Sequence, residues 1–214
     1  IQISENKDII LDINGYELSA GNKDTFVNKG NLEIKDTSEL QTGLLKNTSY
    51  ELFNNQENGN IVFSSGQITT IVTDYTLEDN KKYDCYIVTN SGNGRVTVDG
   101  ATLTGMFGIN NISTGEVNVI SGTINAKANS MRGIGINNAS NGKVTIEGGE
   151  IFGEKVAIYN NNIGEIHVNG GNLNGRTAIE NNGTQNDSIG KIIINNGQFN
   201  VKESGGNVIN MNNG

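Results

Sequence analysis

The residues best equipped for chemistry are few in this chain. One His, one Cys and three Arg (Arg95, Arg132, Arg176) stand among 23 acidic residues. Cleaving a glycosidic bond takes two carboxylates, one to protonate the leaving oxygen and one to attack or to activate water. Two pairs have suitable spacing. Asp12 and Glu33 fall at matching outward positions of neighbouring repeats, and Glu147 and Glu150 flank one turn. The plainer reading of both is a solvated acidic face. Arg95 and Asp99 share a strand without a second acid beside them. His167 has no second His or Cys with which to hold a metal. Cys85 lies between Asp84 and Tyr86 with no His near it in sequence. It reads as a small, half-buried apolar side chain rather than a nucleophile. Asp187 beside Asn186 is the nearest approach to a calcium site, yet no EF-hand loop or calcium-binding glycine repeat occurs. The sequence predicts no catalytic residue, no metal and no cofactor.

Recognition is a different matter. Tyr50, Phe53, Tyr75, Tyr83 and Tyr86 fall within two long insertions and make up five of twelve aromatics. Aromatic faces with polar neighbours suit stacking on sugar rings or docking of a peptide. These five residues form the candidate ligand-binding set. The alternative is that the rings fold back to pack the insertions onto the body of the protein.

Whatever positions these side chains is neither helical nor cross-linked. The chain has 214 residues, a net charge of −8, no Pro and no Trp, and its 37 Asn and 29 Gly are poor helix formers. A lone Cys excludes a disulfide scaffold. Fifteen basic residues scattered against 23 acidic ones leave no nucleic-acid footprint. No run approaches the ~18 apolar residues of a membrane span, and no stretch of the sequence reads as a signal peptide or C-terminal anchor, so such parts are absent or were removed.

Self-similarity supplies the organisation. Gly, a variable residue, then two aliphatic residues flanking a polar one recur from Gly94, Gly115, Gly142 and Gly164, and from Gly190 with an apolar middle. Looser copies start at Ile9, Gly30 and Gly59, so the spacings are 21, 29, 35, 21, 27, 22 and 26. Each copy continues with a second short strand carrying one inward residue: Leu18, Ile68, Leu103, Ile124, Ile151, Leu173 or Phe199. A third strand ends in an aliphatic residue followed two positions later by Asn, as in Ile109 with Asn111. Three short strands and three turns in about 21 residues describe a triangular coil. Many Asn-Gly pairs, Asn14-Gly15 among them, favour antiparallel hairpins instead. Hairpins, however, do not require the same phase at every third strand, whereas stacking of like on like does. The outward residues Arg95, Glu116, Lys143, Glu165 and Lys191 alternate in charge, as stacked neighbours should. The reading predicts two inward columns. One runs Leu11, Leu32, Ile61, Val96, Val117, Val144, Ile166, Ile192. The other runs Ile13, Ile34, Phe63, Val98, Val119, Ile146, Val168, Ile194.

With these phrases in view, the chain resembles the right-handed parallel β-helix proteins of the pectate-lyase-like superfamily. Within it, the chain is similar to the repeat regions of Gram-positive cell-surface, adhesin-like proteins. The opening Asp8-Ile9-Ile10-Leu11-Asp12-Ile13-Asn14-Gly15-Tyr16 resembles the phrase with which such regions begin. The resemblance covers residues 8–214. It implies an all-β right-handed β-solenoid of about eight coils, three strands each. It also implies stacked Asn side chains at Asn111, Asn138, Asn160 and Asn181, with Met211 departing from the pattern. Enzymes of the superfamily gather several Asp with a basic residue on one outer strand, a pattern this chain does not meet.

Insertions at 41–53, 69–86, 126–134 and 201–207 leave between the second and third strands, and one at 183–188 follows the third. Insertions gathered at one corner mark a binding face. The expected protein is one domain over 1–214, a fragment of a longer surface protein continuing past Gly214, secreted or cell-wall attached and monomeric rather than trimeric. Its partner would be a host surface protein or a glycan, with no nucleic acid and no membrane span. A polysaccharide lyase or glycoside hydrolase, or an inactive sugar-binding relative, is the alternative.

Overall fold

The computed structural model describes residues 1–20, 26–47, 51–70, 85–128, 132–185, 188–201 and 205–211. It is all-β, with 64% of the described residues in strands, nearly all of them in one parallel sheet curling on itself. The sheet is built from three ladders that the chain visits in turn. The first runs through Asp8–Asp12, Asn31–Lys35, Asn60–Phe63, the starts of Arg95–Gly105 and Glu116–Ala126, then Lys143–Ile146, Glu165–Val168 and Lys191–Ile194. The second runs through Glu17–Ala20, Leu44–Asn47, Gln67–Thr70, the ends of those two long strands, the starts of Glu150–Asn160 and Asn172–Asn181, and Gln198–Val201. The third runs through Gln2–Ile3, Phe26–Asn28, Phe53–Asn55, Tyr86–Asn90, Phe107–Asn111 and Ile134–Asn138. It ends with the last parts of Glu150–Asn160 and Asn172–Asn181, then Asn207–Met211.

All of these pairings are parallel, so the hairpin reading fails. Among the described residues, only Thr184–Gln185 and Ser188–Ile189 pair antiparallel, inside one insertion. From Leu32 to Ile192 and from Ile34 to Ile194 the two inward columns stack as the repeat predicts. Their inner members, such as Val96, Val119 and Ile146, are fully buried. Burial of such columns is the main favourable term holding the stack.

The first repeat departs by two residues. Ile9 and Leu11, not Leu11 and Ile13, sit opposite Leu32 and Ile34. The cause is the turn at Asn14-Gly15, where both residues adopt positive φ (46° and 77°) and the Tyr16 N–H donates to the Ile13 carbonyl. That turn ends the strand early and carries Ile13 past it, where it is buried at the corner.

The second repeat also differs from expectation. The 41–53 segment is not one loop between the second and third strands. Leu44–Asn47 is a second-ladder strand with Leu45 between Leu18 and Ile68, and Phe53–Asn55 is a third-ladder strand. The extra chain described there, 37–43, leaves instead from the corner between the first and second strands. The buried Asp36 carboxylate holds this corner, accepting N–H bonds from Gly15, Ser38 and Gly43.

At the corner leading back to the first ladder, Asn side chains form a continuous buried spine. Asn28 donates to Asn55, Asn55 to Asn90, Asn90 to Asn111, Asn111 to Asn138, Asn138 to Asn160 and Asn160 to Asn181, at 2.8–3.0 Å. Each of these side chains also donates to a nearby turn carbonyl, as Asn138 does to Gly142 at 2.9 Å. The spine is bounded by apolar register partners, Ile3 beside Asn28 and Met211 beside Asn181. Its members satisfy one another where water cannot reach, except at the first, where Ile3 is the register partner and the Oδ1 of Asn28 has no hydrogen-bond partner.

Candidate functional site

The two candidate carboxylate pairs do not assemble. The shifted first repeat places Asp12 opposite Lys35 and Glu33 opposite Ile10 and Val62, so Asp12 and Glu33 do not share an outward position. Each is occupied by its own neighbour. Asp12 accepts from the Thr37 hydroxyl at 2.6 Å and N–H at 3.1 Å, and Glu33 accepts from the Ser64 hydroxyl at 2.7 Å. The Thr37 hydroxyl is the largest influence holding the Asp12 carboxyl below its ordinary value of 3.8. Glu147 and Glu150 diverge around Gly148-Gly149. Glu147 accepts from Asn169 and Glu150 from Asn174, both at 2.9 Å, on different ladders. Arg95 forks onto Glu116 at 2.6 and 2.9 Å, while Asp99 accepts from Ser121 at 3.0 Å.

His167 stands in the outward column between Thr145 and Ile193, as its repeat position predicts. Its Nε2 lies 2.8 Å from Glu165 Oε2. That contact comes first, with Lys191 next, in holding the Glu165 carboxyl below its ordinary 4.5. Cys85 is fully buried, beyond the half-burial its sequence suggested. Among the described residues, no group of three or more His, Cys, Asp or Glu stands close enough to hold a metal. Asn186 and Asp187 lie outside the described residues.

The aromatic set divides. Tyr50, Tyr75 and Tyr83 lie outside the described residues. Phe53 and Tyr86, by contrast, are core residues and offer no face to a ligand. Phe53 is fully buried, stacked on Phe26 with ring centroids 4.9 Å apart and edge-on to Phe63 at 5.0 Å. It takes the third-strand inward position that Val88 and Ile109 fill further along. Tyr86 is 3% exposed and packs on Phe107 at 5.1 Å. For these two rings, packing against the body is the role.

One lateral feature escaped sequence reasoning. A shallow trough of about 300 Å³ crosses the outer face of the first ladder, lined by Glu116, Asn118, Ile120, Lys143, Thr145 and Glu147. Ile120 is 46% exposed at one end of it, where other repeats carry Asp99, Glu147 or Asn169 after the second inward residue. An apolar residue at an otherwise polar outward position was a readable signal. The trough has Glu116 opposite Lys143 at one end, Asn118 opposite Thr145 in the middle, and Ile120 with Glu147 at the other end. Compared with protein-family models, curated proteins and solved structures, the chain matches none.

Proposed function

We propose that this chain is a non-catalytic, right-handed parallel β-helix of about eight coils from an extracellular bacterial surface protein. Its role is adhesin-like: it holds a long lateral surface rigid and presents it to a host or cell-surface partner, glycans included. The pectate-lyase-like scaffold of Gram-positive surface repeats is the relationship this reading implies. One observation supports it most. Four outward acids are committed to neighbouring repeats, Asp12 to Thr37, Glu33 to Ser64, Glu147 to Asn169 and Glu150 to Asn174. A carboxylate tied into a ladder bond is positioned to stiffen a surface rather than to shuttle protons. Recognition is assigned to the insertions carrying Tyr50, Tyr75 and Tyr83, and to the trough around Ile120. The test is incubation with pectin, alginate and hyaluronan, followed by assay for new chain ends. No release is expected. Reproducible cleavage that disappears in Asp12→Asn or Glu33→Gln overturns the proposal.

A further inference from the structure

We propose that Asn141-Gly142 is a self-modifying site, where the Gly142 backbone nitrogen displaces ammonia from the Asn141 side chain and leaves a new carboxylate on the surface. The Gly142 nitrogen gives its proton to solvent and attacks Asn141 Cγ. The bond from Cγ to the carboxamide nitrogen breaks, and ammonia departs. Water then opens the five-membered imide to aspartate or isoaspartate. Glycine suits the step because no side chain of its own hinders the approach of its nitrogen.

Asn-Gly pairs recur along this chain, and the fold restrains them unequally. Two groups must be free: the glycine N–H, which becomes the nucleophile, and the Asn side chain, which must turn onto it. Exposure does not separate the pairs, since Asn14, Asn58, Asn93 and Asn141 are all exposed. Hydrogen bonds do. The Gly15 N–H donates to Asp36 Oδ1 at 2.8 Å, the Gly59 N–H to the Gln56 carbonyl at 2.9 Å and the Gly94 N–H to the Glu57 carbonyl at 3.1 Å. Asn93 also accepts from the Thr114 hydroxyl at 2.7 Å. Asn169 is held between Glu147 and Asn195, Asn174 between Glu150 and Asn200, and Asn182 donates to Tyr159. Neither restraint acts at Asn141-Gly142. Among the described residues, no hydrogen bond engages the Gly142 N–H or the Asn141 side chain. Asn196-Gly197 shares both features, but in the last repeat, so Asn141 is the interior site.

The backbone after Gly142 is also the most loosely anchored of its kind. The residue following each repeat's opening position donates its N–H to the preceding repeat. These bonds measure 2.8 Å from Asn31 and Asn60, 3.0 Å from Arg95, Glu116 and Lys191, and 3.1 Å from Glu165. Lys143 makes the longest, 3.3 Å to Gly115. The product weakens its own rung further. Isoaspartate lengthens the backbone immediately before Gly142, which has Asn111 Nδ2 and the carbonyls of Gly115 and Ser113 packed against it. The Gly142 carbonyl also accepts from Asn138 in the spine at 2.9 Å.

The test incubates the whole chain at mildly alkaline pH, folded and, in parallel, unfolded in guanidinium chloride. Peptide mass spectrometry then maps aspartate and isoaspartate. In the folded chain Asn141 should convert about fivefold faster than Asn14, Asn58 or Asn93, the ratio set by one hydrogen bond of ordinary strength. In guanidinium the four should convert at similar rates. Asn141→Ser, an exposed change, should lack the product and hold its melting temperature through an incubation that lowers the parent's. An unconverted Asn141 in the folded chain, equal conversion of Asn14, Asn58 and Asn93 there, or a gap that persists in guanidinium overturns the proposal.

Discussion

A Cβ on Gly142 would stand 2.1 Å from Asn111 Nδ2. The same collision joins Gly164 to Asn138 and Gly190 to Asn160, each at 2.2 Å. The glycine that opens a repeat is therefore not free punctuation. The Asn spine of the preceding rung leaves no room for a side chain. Lys7 holds the equivalent place in the first repeat, its carbonyl accepting the Asn31 N–H as Gly30 accepts that of Asn60. Behind Lys7 the spine has ended, at Ile3.

Gly142→Ala should therefore destabilise the stack by ~1–3 kcal/mol, the cost of overpacking a filled site. Asn111→Ala should also destabilise, through lost hydrogen bonds to Gly115 and Asn138. The double variant should cost less than the sum, because the two side chains no longer meet. Carbonyls of Gly115 and Ser113 within 2.8 Å of the same Cβ keep the relief partial. Thermal melts of the four proteins measure the coupling, and strict additivity would separate the glycine from the spine.

In the middle of the spine, Asn138→Leu should cost ~2–4 kcal/mol. It removes the acceptor of Asn111 Nδ2 and the donor to Asn160 Oδ1, stranding polar atoms that water cannot reach. Denaturant melts check this, and a cost below about 1 kcal/mol would show that the spine contributes little.

The Asp36 corner gives a pH signature. Burial raises this carboxyl's pKa, but the Ser38 hydroxyl and the N–H groups of Ser38, Gly43 and Gly15 together bring it below 3.8. A folded value below the unfolded one means the stabilisation is complete above pH ~3.8 and fades as pH falls through the folded value. Asp36→Asn should lower the melting temperature at neutral pH and flatten its fall below pH ~4. Melting curves from pH 7 to 2.5 read both effects, and identical slopes in the two proteins would contradict the assignment.

Phe53 and Tyr83 should behave in opposite ways. Phe53→Ala opens a cavity beside Phe26 and Phe63 and should cost ~3–5 kcal/mol. Tyr83→Ala, in an insertion, should leave the melting temperature within a few degrees of the parent. Melts of the two variants decide between packing and recognition for each ring.

How far the sequence carried can be traced through the same residues. From Gly94 onward the repeats were legible in full register, because a coil of 21–27 residues leaves little space between the phrases. Earlier in the chain two features obscured them. The Asn14-Gly15 turn cut the first strand short, and with that slip the Asp12–Glu33 pair dissolved. Phe26 and Phe53 hold the place before the ladder Asn that an aliphatic residue holds later in the chain, so the aliphatic pattern does not extend to them. In sequence Phe53 resembles a ligand contact at the end of an insertion; in the fold it is a core residue. Asn28, Asn55 and Asn90 extend the spine beyond Asn111, Asn138, Asn160 and Asn181, the four members that the repeat pattern predicts.

The measurement that bears most directly on the account is binding of the intact chain to an array of glycans and immobilised host-matrix proteins, run beside Tyr75→Ala/Tyr83→Ala. The account predicts saturable binding to at least one of them, with the ligand recovered uncut, and weaker binding by the folded double variant. No binding to any of them, or binding that ends in cleavage of the ligand, would contradict it.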